Sequence, residues 1–298
     1  MSLIKKLFSI YASLLLIILS GCGNNQNIPL AMFSNFPDVS LEISFFDSKD
    51  SVCILIEIDN YAIVIDSGLA ESESALLEFI SYYNISNIDY LILTHPVEDY
   101  IDRIQTISNY TNINQVVLPS FFQEDTNGSD SNLESVDFNI LRLNQTEEFT
   151  ITINGLILTV YPAFENEYSE LINPSLITSI QYANQFLLFA SDVTSNKLDS
   201  FMLESKLNSN IADSLEYTIL LLPNHSSDTE NLEDFLYSIK PTHGIISCSV
   251  SNQTSIELLQ LLQRHGIQTF LSCDGKITIR MNQDSLHISQ QLPKFTLL

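Results

Sequence analysis

From Leu41 onward the chain alternates between short apolar runs and polar breaks, a pattern that predicts many strands and fewer helices. Leu41 to Asp47, Val52 to Ile58 and Tyr61 to Asp66 form three successive runs rich in Ile, Val and Phe. Such residues suit a pleated, half-buried surface. Ser67-Gly68 breaks the series. A helix is predicted over 72–83, where Ala75, Leu76, Phe79, Ile80 and Tyr83 fall at helical spacing. Glu71 and Glu73 lie near its electropositive N-terminal end. Residues 88–94 are almost continuously apolar, which suits a strand buried on both faces. A helix over 99–109, a strand over 115–118 and a polar, acidic surface loop over 123–135 follow.

The second half opens with strands over 138–143, 149–153 and 156–161. Asn154-Gly155 between the last two is a strong two-residue hairpin signal. Residues 176–182 and 186–190 predict another hairpin around Ala183-Asn184. Helices over 195–207, 231–239 and 255–264 then alternate with strands over 217–222, 244–250 and 268–271. A pair of short strands over 276–289 ends the pattern. Hairpins interleaved with strand–helix units call for mixed sheets with helices outside them, an α/β chain.

The first 40 residues read differently. Lys5 and Lys6 precede an apolar stretch over 7–19, followed by Leu19-Ser20-Gly21-Cys22. Charge, apolar run and small residues in this order form a secretory signal peptide. The run falls short of the roughly 20 residues a transmembrane helix needs. Leu19-Ser20-Gly21-Cys22 resembles the bacterial lipobox. That resemblance implies cleavage before Cys22 and a lipid on its thiol, with an extracytoplasmic, membrane-anchored chain as the consequence. Residues 1–21 are then signal peptide, 22–39 an Asn-rich tether with Pro29 and Pro37, and 40–298 one domain.

Charge narrows the partners. Twelve Lys and Arg stand against 36 Asp and Glu, a formal net charge of -24. Removing residues 1–21 takes two lysines and no acid. A nucleic-acid backbone needs basic residues to neutralise it, so nucleic acid is disfavoured as a partner. At 45% apolar residues the chain can bury a sizeable core and is not of disordered composition. Beyond Cys22, Cys53, Cys248 and Cys273 sit in or beside apolar runs as small core residues. A Cys248–Cys273 disulfide is open to the chain, because both fall in neighbouring strand candidates.

The chemistry concentrates in Thr94-His95-Pro96-Val97-Glu98-Asp99-Tyr100. A histidine at the C-terminal end of a buried strand lies where α/β sheets bind ligands. This segment resembles the T-H-P-x-x-D-H metal motif of the metallo-β-lactamase superfamily. More of the chain resembles the C-terminal domains of the ComEC family of competence channel proteins. Leu41 to Glu57 is similar to L-x-V-x-F-F-D-V-G-Q-G-D-S-I-L-I-E without a gap. Ile63-Val64-Ile65-Asp66-Ser67-Gly68 resembles I-L-I-D-G-G, and Asn173-Pro174-Ser175-Leu176 resembles N-x-S-L. Phe186 to Asp192 resembles L-L-L-T-G-D, Leu222 to Ser227 resembles V-P-H-H-G-S, and Pro241 to Cys248 resembles P-x-x-A-I-I-S. The resemblance implies an αββα sandwich, with two mixed sheets face to face and helices outside. It also implies a hydrolase site holding two metals that make hydroxide from a shared water.

The departures fall on that site. Lys49-Asp50-Ser51-Val52-Cys53 keeps none of G-Q-G-D-S. Val97 stands at a frequent Asp position, Tyr100 replaces the closing His, and Asn224 replaces one of the paired histidines. By resemblance His95, Asp99, Asp192 and His225 remain as metal ligands, with Asp99 or Asp192 also the proton acceptor in an active enzyme. Read without the resemblance, His95 is a strand-end histidine, Asp99 and Asp192 are helix caps, and His225 is a loop residue. Asp66 ends a strand and organises loop hydrogen bonds rather than a metal. His243, His265 and His287 match no metal block. The expected cofactor is none, or a single zinc or manganese ion. The reading that follows is a surface lipoprotein whose domain is catalytically impaired and serves as a binding or structural module. A one-metal, phosphodiesterase-like hydrolase is the alternative, and envelope DNA processing stands third. Cys22→Ala is expected to move the protein from the membrane fraction to the aqueous phase in detergent partitioning. Unchanged partitioning would refute the lipid anchor.

Overall fold

The structure, a computed structural model, describes residues 40–47, 52–66, 77, 80–81, 85–94, 104–120, 139–144, 147–162, 175–190, 193, 198, 201, 217–223, 231–248 and 254–291. All of them belong to the compact unit Val39–Leu298. The expected signal peptide over 1–21, Cys22, the expected tether and the expected loop over 123–135 lie outside the described residues.

Strands β1 (Leu41–Asp47), β2 (Val52–Ile58) and β3 (Tyr61–Ile65) form an antiparallel meander. β4 (Asn87–Ile92), β5 (Asn112–Pro119) and β6 (Asn139–Leu143) extend it in parallel. On the other flank β14 (Lys276–Met281) and β15 (Leu286–Gln291) pair antiparallel to β1, completing an eight-stranded sheet in the order β15-β14-β1-β2-β3-β4-β5-β6. The second sheet contains β7 (Phe149–Ile153), β8 (Leu156–Tyr161), β9 (Ile177–Tyr182) and β10 (Gln185–Phe189), all antiparallel neighbours. β11 (Ile219–Leu221), β12 (His243–Ile246) and β13 (Gln268–Leu271) continue from β10 in parallel. Each sheet is therefore mixed.

Period-two alternation explains how the sheets stack. Leu41, Ile43 and Phe45 of β1, Ile54, Ile56 and Ile58 of β2, and Ile277, Ile279 and Met281 of β14 enter one core. Leu156, Leu158 and Val160 of β8, with Leu187 and Phe189 of β10, meet them from the opposite sheet. Phe45 and Phe189 pack edge to face across this layer, their ring centroids 5.5 Å apart. Helices α1 (Leu232–Ile239) and α2 (Ile256–Arg264) cover the outer face of the second sheet through Phe235, Leu236, Leu258 and Leu262. Helical residues Ile80, Ile104 and Ile107 do the same for the first sheet. The layers are α, β, β, α, as the sequence predicts.

Turn chemistry fixes the register. Asn154 (φ 46°) and Gly155 (φ 88°) both take the left-handed angles that a two-residue hairpin of this twist demands. Asp59 (φ 51°) does so between β2 and β3, and its carboxylate accepts a hydrogen bond from the Asn154 side-chain amide. That bond joins a hairpin tip of one sheet to a hairpin tip of the other. β4 differs from expectation. It ends at Ile92, and only Ile88, Leu91 and Ile92 are buried, whereas Asp89 and Tyr90 are half-buried. Asp89 is half-exposed because it serves polar neighbours: its carboxylate accepts from the Ala62 N–H and the Asn87 and Asn114 amides.

The outer face of the first sheet carries one charged row. Glu57, Glu42, Arg280 and His287 stand directly opposite one another across β2, β1, β14 and β15. Arg280 Nε donates to Glu42 at 2.9 Å. Burial holds the Glu57 carboxyl above its ordinary 4.5, repulsion from Glu42 adds to this, and Lys276 opposes it. Below that pH Glu57 is neutral whether the chain is folded or not, and Glu57→Gln is expected to change little. As pH rises, the native state must ionise a half-buried carboxyl beside a second one, so wild type loses stability that the variant keeps. Urea midpoints at pH 4 and pH 7.5 check this; a variant less stable than wild type at pH 7.5 would show that attraction to Lys276 outweighs burial.

Candidate functional site

All strands leading to the predicted site residues end at one end of the sandwich. β3, β4, β5 and β6 run parallel, so their C-terminal ends share an edge. The same holds for β10, β11, β12 and β13 in the second sheet. The two edges are tied together where the Leu176 N–H donates to the Thr94 carbonyl at 2.6 Å. Thr94 follows β4, and Leu176 precedes β9, whose Thr178 pairs with Phe189 at the end of β10.

Asp66 is the organising residue of this end. It follows β3, adopts φ 56° and is only 6% exposed. Its backbone N–H donates to the Ile92 carbonyl at 2.8 Å, extending the β3–β4 ladder by one residue. Its carboxylate accepts from the Thr94 backbone N–H at 2.8 Å and from the Thr94 hydroxyl at 2.8 Å and 3.0 Å. Thr94 is itself fully buried. A buried carboxylate must be compensated by donors. Here it is, and the compensation also fixes the residue immediately before His95. Asp66 is thus a loop organiser, as the sequence predicts. The link between Thr94 and Leu176 has no signature in the sequence, since backbone groups carry it.

The neighbouring strand ends are fixed in the same way. Ala190 N–H donates to the Leu221 carbonyl at 3.2 Å and Leu222 N–H to the Ile245 carbonyl at 2.9 Å, each one step beyond the formal ladder. Tyr161, at the end of β8, accepts a hydrogen bond from the Ser179 hydroxyl at 3.2 Å. Burial raises its pKa, that hydrogen bond opposes the rise, and Glu148 reinforces it. Cys248 and Cys273 are disulfide-bonded at the same end, which settles the pairing that the sequence leaves open. Cys53 is buried in β2.

The predicted ligands His95, Asp99, Asp192 and His225, and the departures Val97, Tyr100 and Asn224, lie outside the described residues. The structure describes the residues that lead to each group: Thr94 before His95, Ala190 before Asp192, and Pro223 before Asn224 and His225. Among the described residues no three His, Cys, Asp or Glu side chains cluster at metal-binding distance. His243, which matches no metal block, stacks on Phe270, and His265 faces Glu233 at 3.5 Å.

Comparison with known proteins agrees with this arrangement. The sequence profile of the metallo-β-lactamase superfamily matches residues 48–154. ComE operon protein 3 of Bacillus subtilis (strain 168) is 23% identical over 220 residues, covering 70% of this chain and 26% of that protein. The chain therefore spans about a quarter of the length of that relative. Among solved structures, a mutant of the CmlA β-hydroxylase superposes with a TM-score of 0.55 at 12% identity, over 84% of this chain and 56% of that one. Unliganded yeast PDE1 superposes with a TM-score of 0.53 at 13% identity, over 82% of this chain and all of that one. At such identities the structural likeness speaks for the fold alone.

Asp66→Asn keeps a residue type that tolerates the left-handed backbone and removes one acceptor from the Thr94 pair. It is expected to cost about 1–3 kcal/mol in urea unfolding. A loss near zero would show that the carboxylate does not organise this end.

Proposed function

We propose that this metallo-β-lactamase-fold domain has kept the scaffold of a hydrolase and given up its two-metal chemistry, and acts as a binding or structural module. One observation carries the reading. The backbone supports of the site, Asp66 with Thr94 and Thr94 with Leu176, are intact, whereas the sequence replaces donors at Val97, Tyr100 and Asn224. Valine cannot ligate, and a tyrosine must ionise from a pKa of about 10 to do so well. The donor set His95, Asp99, Asp192 and His225 does not fit two metals. A catalytic zinc takes roughly three protein ligands and keeps an open position. Four donors suffice for one ion at most.

A second reading has its own support. The four surviving donors follow strands that all end at the same end of the sandwich. A single zinc or manganese ion held there would supply a Lewis acid and an activated water. The loss of even one supporting group commonly costs about 10–100-fold in metal affinity or activity. That favours the module over the enzyme. Competence-linked DNA processing is the least supported reading, because a net charge of -24 repels a phosphate backbone.

The setting proposed for the module is the outer surface of a bacterial membrane, attached through Cys22. The Cys248–Cys273 disulfide favours this setting, since such bonds persist where the surroundings are oxidising. The protein or small molecule that it binds there would be recognised without a basic surface.

Elemental mass spectrometry of the purified protein, after dialysis against trace zinc and manganese, tests the reading. The expected result is a folded protein with no stoichiometric metal. About one tightly held metal per chain, lost in His95→Ala and in His225→Ala, would overturn the module and establish the one-metal site.

A further inference from the structure

The disulfide sits at a structural junction. Cys248 lies two residues beyond β12, and Cys273 lies in the 3-10 turn Ser272–Asp274 after β13. That turn leads straight into β14, so the chain crosses there from the second sheet to the first. The formal β12–β13 ladder ends at Ile246 and Leu271. Past it, the Cys248 N–H donates to the Ser272 hydroxyl at 3.0 Å. The disulfide is the covalent addition to that weak extension, at the end where the candidate site lies.

The two sulfurs are not equivalent. Cys248 is 4% exposed and packs among the side chains beneath α1 and α2, whereas Cys273 is half-buried at the margin of the same cluster. The buried sulfur has the donors. The Cys273 N–H donates to Cys248 Sγ at 3.2 Å. The Ser272 hydroxyl lies 4.0 Å from the same sulfur and 3.3 Å from the Cys248 carbonyl, so it can turn from one to the other. Access decides which sulfur an incoming thiolate meets, and the backbone donor on Cys248 Sγ offsets part of the cost of leaving a thiolate in apolar surroundings.

We propose that Cys248–Cys273 is a reducible latch with a built-in direction, opened by a dithiol that attacks Cys273. The incoming thiolate bonds to Cys273 Sγ, the Cys248–Cys273 bond breaks, and Cys248 departs with the electron pair, facing the Cys273 N–H. The second thiol of the reductant then attacks its own sulfur in the mixed disulfide and releases Cys273. Two electrons pass to the protein, both cysteines take up protons from water, and the reductant leaves as a disulfide. The β12–β13 ladder remains, because its backbone bonds do not depend on the sulfurs. The crossover into β14 and the segment after Cys248 lose their covalent tie. The latch thus couples the thiol state of the surroundings to the end of the sandwich that carries the candidate site. It stands independently of whether that site binds metal.

The test uses the full chain under native conditions. Limiting glutathione, an acid quench and peptide mass mapping locate the first mixed disulfide, with Cys22 and Cys53 resolved on separate peptides. Adducts on Cys273 are expected to exceed those on Cys248 by about tenfold or more. After full reduction with dithiothreitol, hydrogen exchange is expected to quicken at 247–248 and 271–276 and to stay unchanged in β1 to β5. Equal adducts on the two cysteines, or an excess on Cys248, would overturn the direction. A bond that dithiothreitol opens only in denaturant, or a reduced chain that loses protection throughout, would overturn the latch and leave a structural staple.

Discussion

The burial of one shared apolar layer between two sheets constrains everything else in this molecule. Side chains in a strand alternate with a period of two, so a one-residue slip in any strand would turn its core residues to solvent. Leu41, Ile43 and Phe45 can meet Leu187 and Phe189 only if every intervening turn has its proper length. The chain meets that demand with left-handed residues at Asp59, Asn154, Gly155 and Ala183, each at a two-residue hairpin. Three of these are not glycine, and one of the three, Ala183, lacks even a polar side chain to favour the angle, so tertiary packing must hold it there.

From that layer the site end follows. Parallel strands must all finish at the same edge, and the loops that leave them inherit a common location. A single buried carboxylate, Asp66, then converts a strand end into a fixed platform by accepting three contacts from Thr94. The platform is built from the backbone and from two side chains that need not be ligands. Substitutions in the loops beyond it can therefore remove metal donors without disturbing the support. Fold similarity by itself is therefore poor evidence of activity.

Much of the fold was legible because the core pattern is strict. β1, β2, β7, β8 and β13 fall where alternation and hairpin signals put them, to within a residue. Short buried strands were less legible. Residues 217–222 yield only Ile219–Leu221 as β11, and the strand expected over 244–250 forms as His243–Ile246. In both cases the apolar residues continue past the last ladder bond, because they pack under helices rather than between strands. Asp66 could be read as a loop organiser from its place at a strand end. The Thr94–Leu176 tie could not, since a contact between an N–H and a carbonyl about 80 residues apart leaves no mark on side-chain identity. The ligand set itself rests on resemblance, residue by residue. The described structure fixes where its loops begin.

The direction of β1 sets where the described chain begins relative to the site end. β1 runs parallel to β3, being two antiparallel steps removed from it through β2. Its first residue, Leu41, therefore lies at the same end as the Asp59–Asn154 bond, remote from Thr94. Ser40 lies at this base, between β14 and β2, where its N–H continues the ladder to the Met281 carbonyl. The first described residue and the end that carries Thr94 are thus separated by the length of a strand, so substitutions at one need not disturb the other.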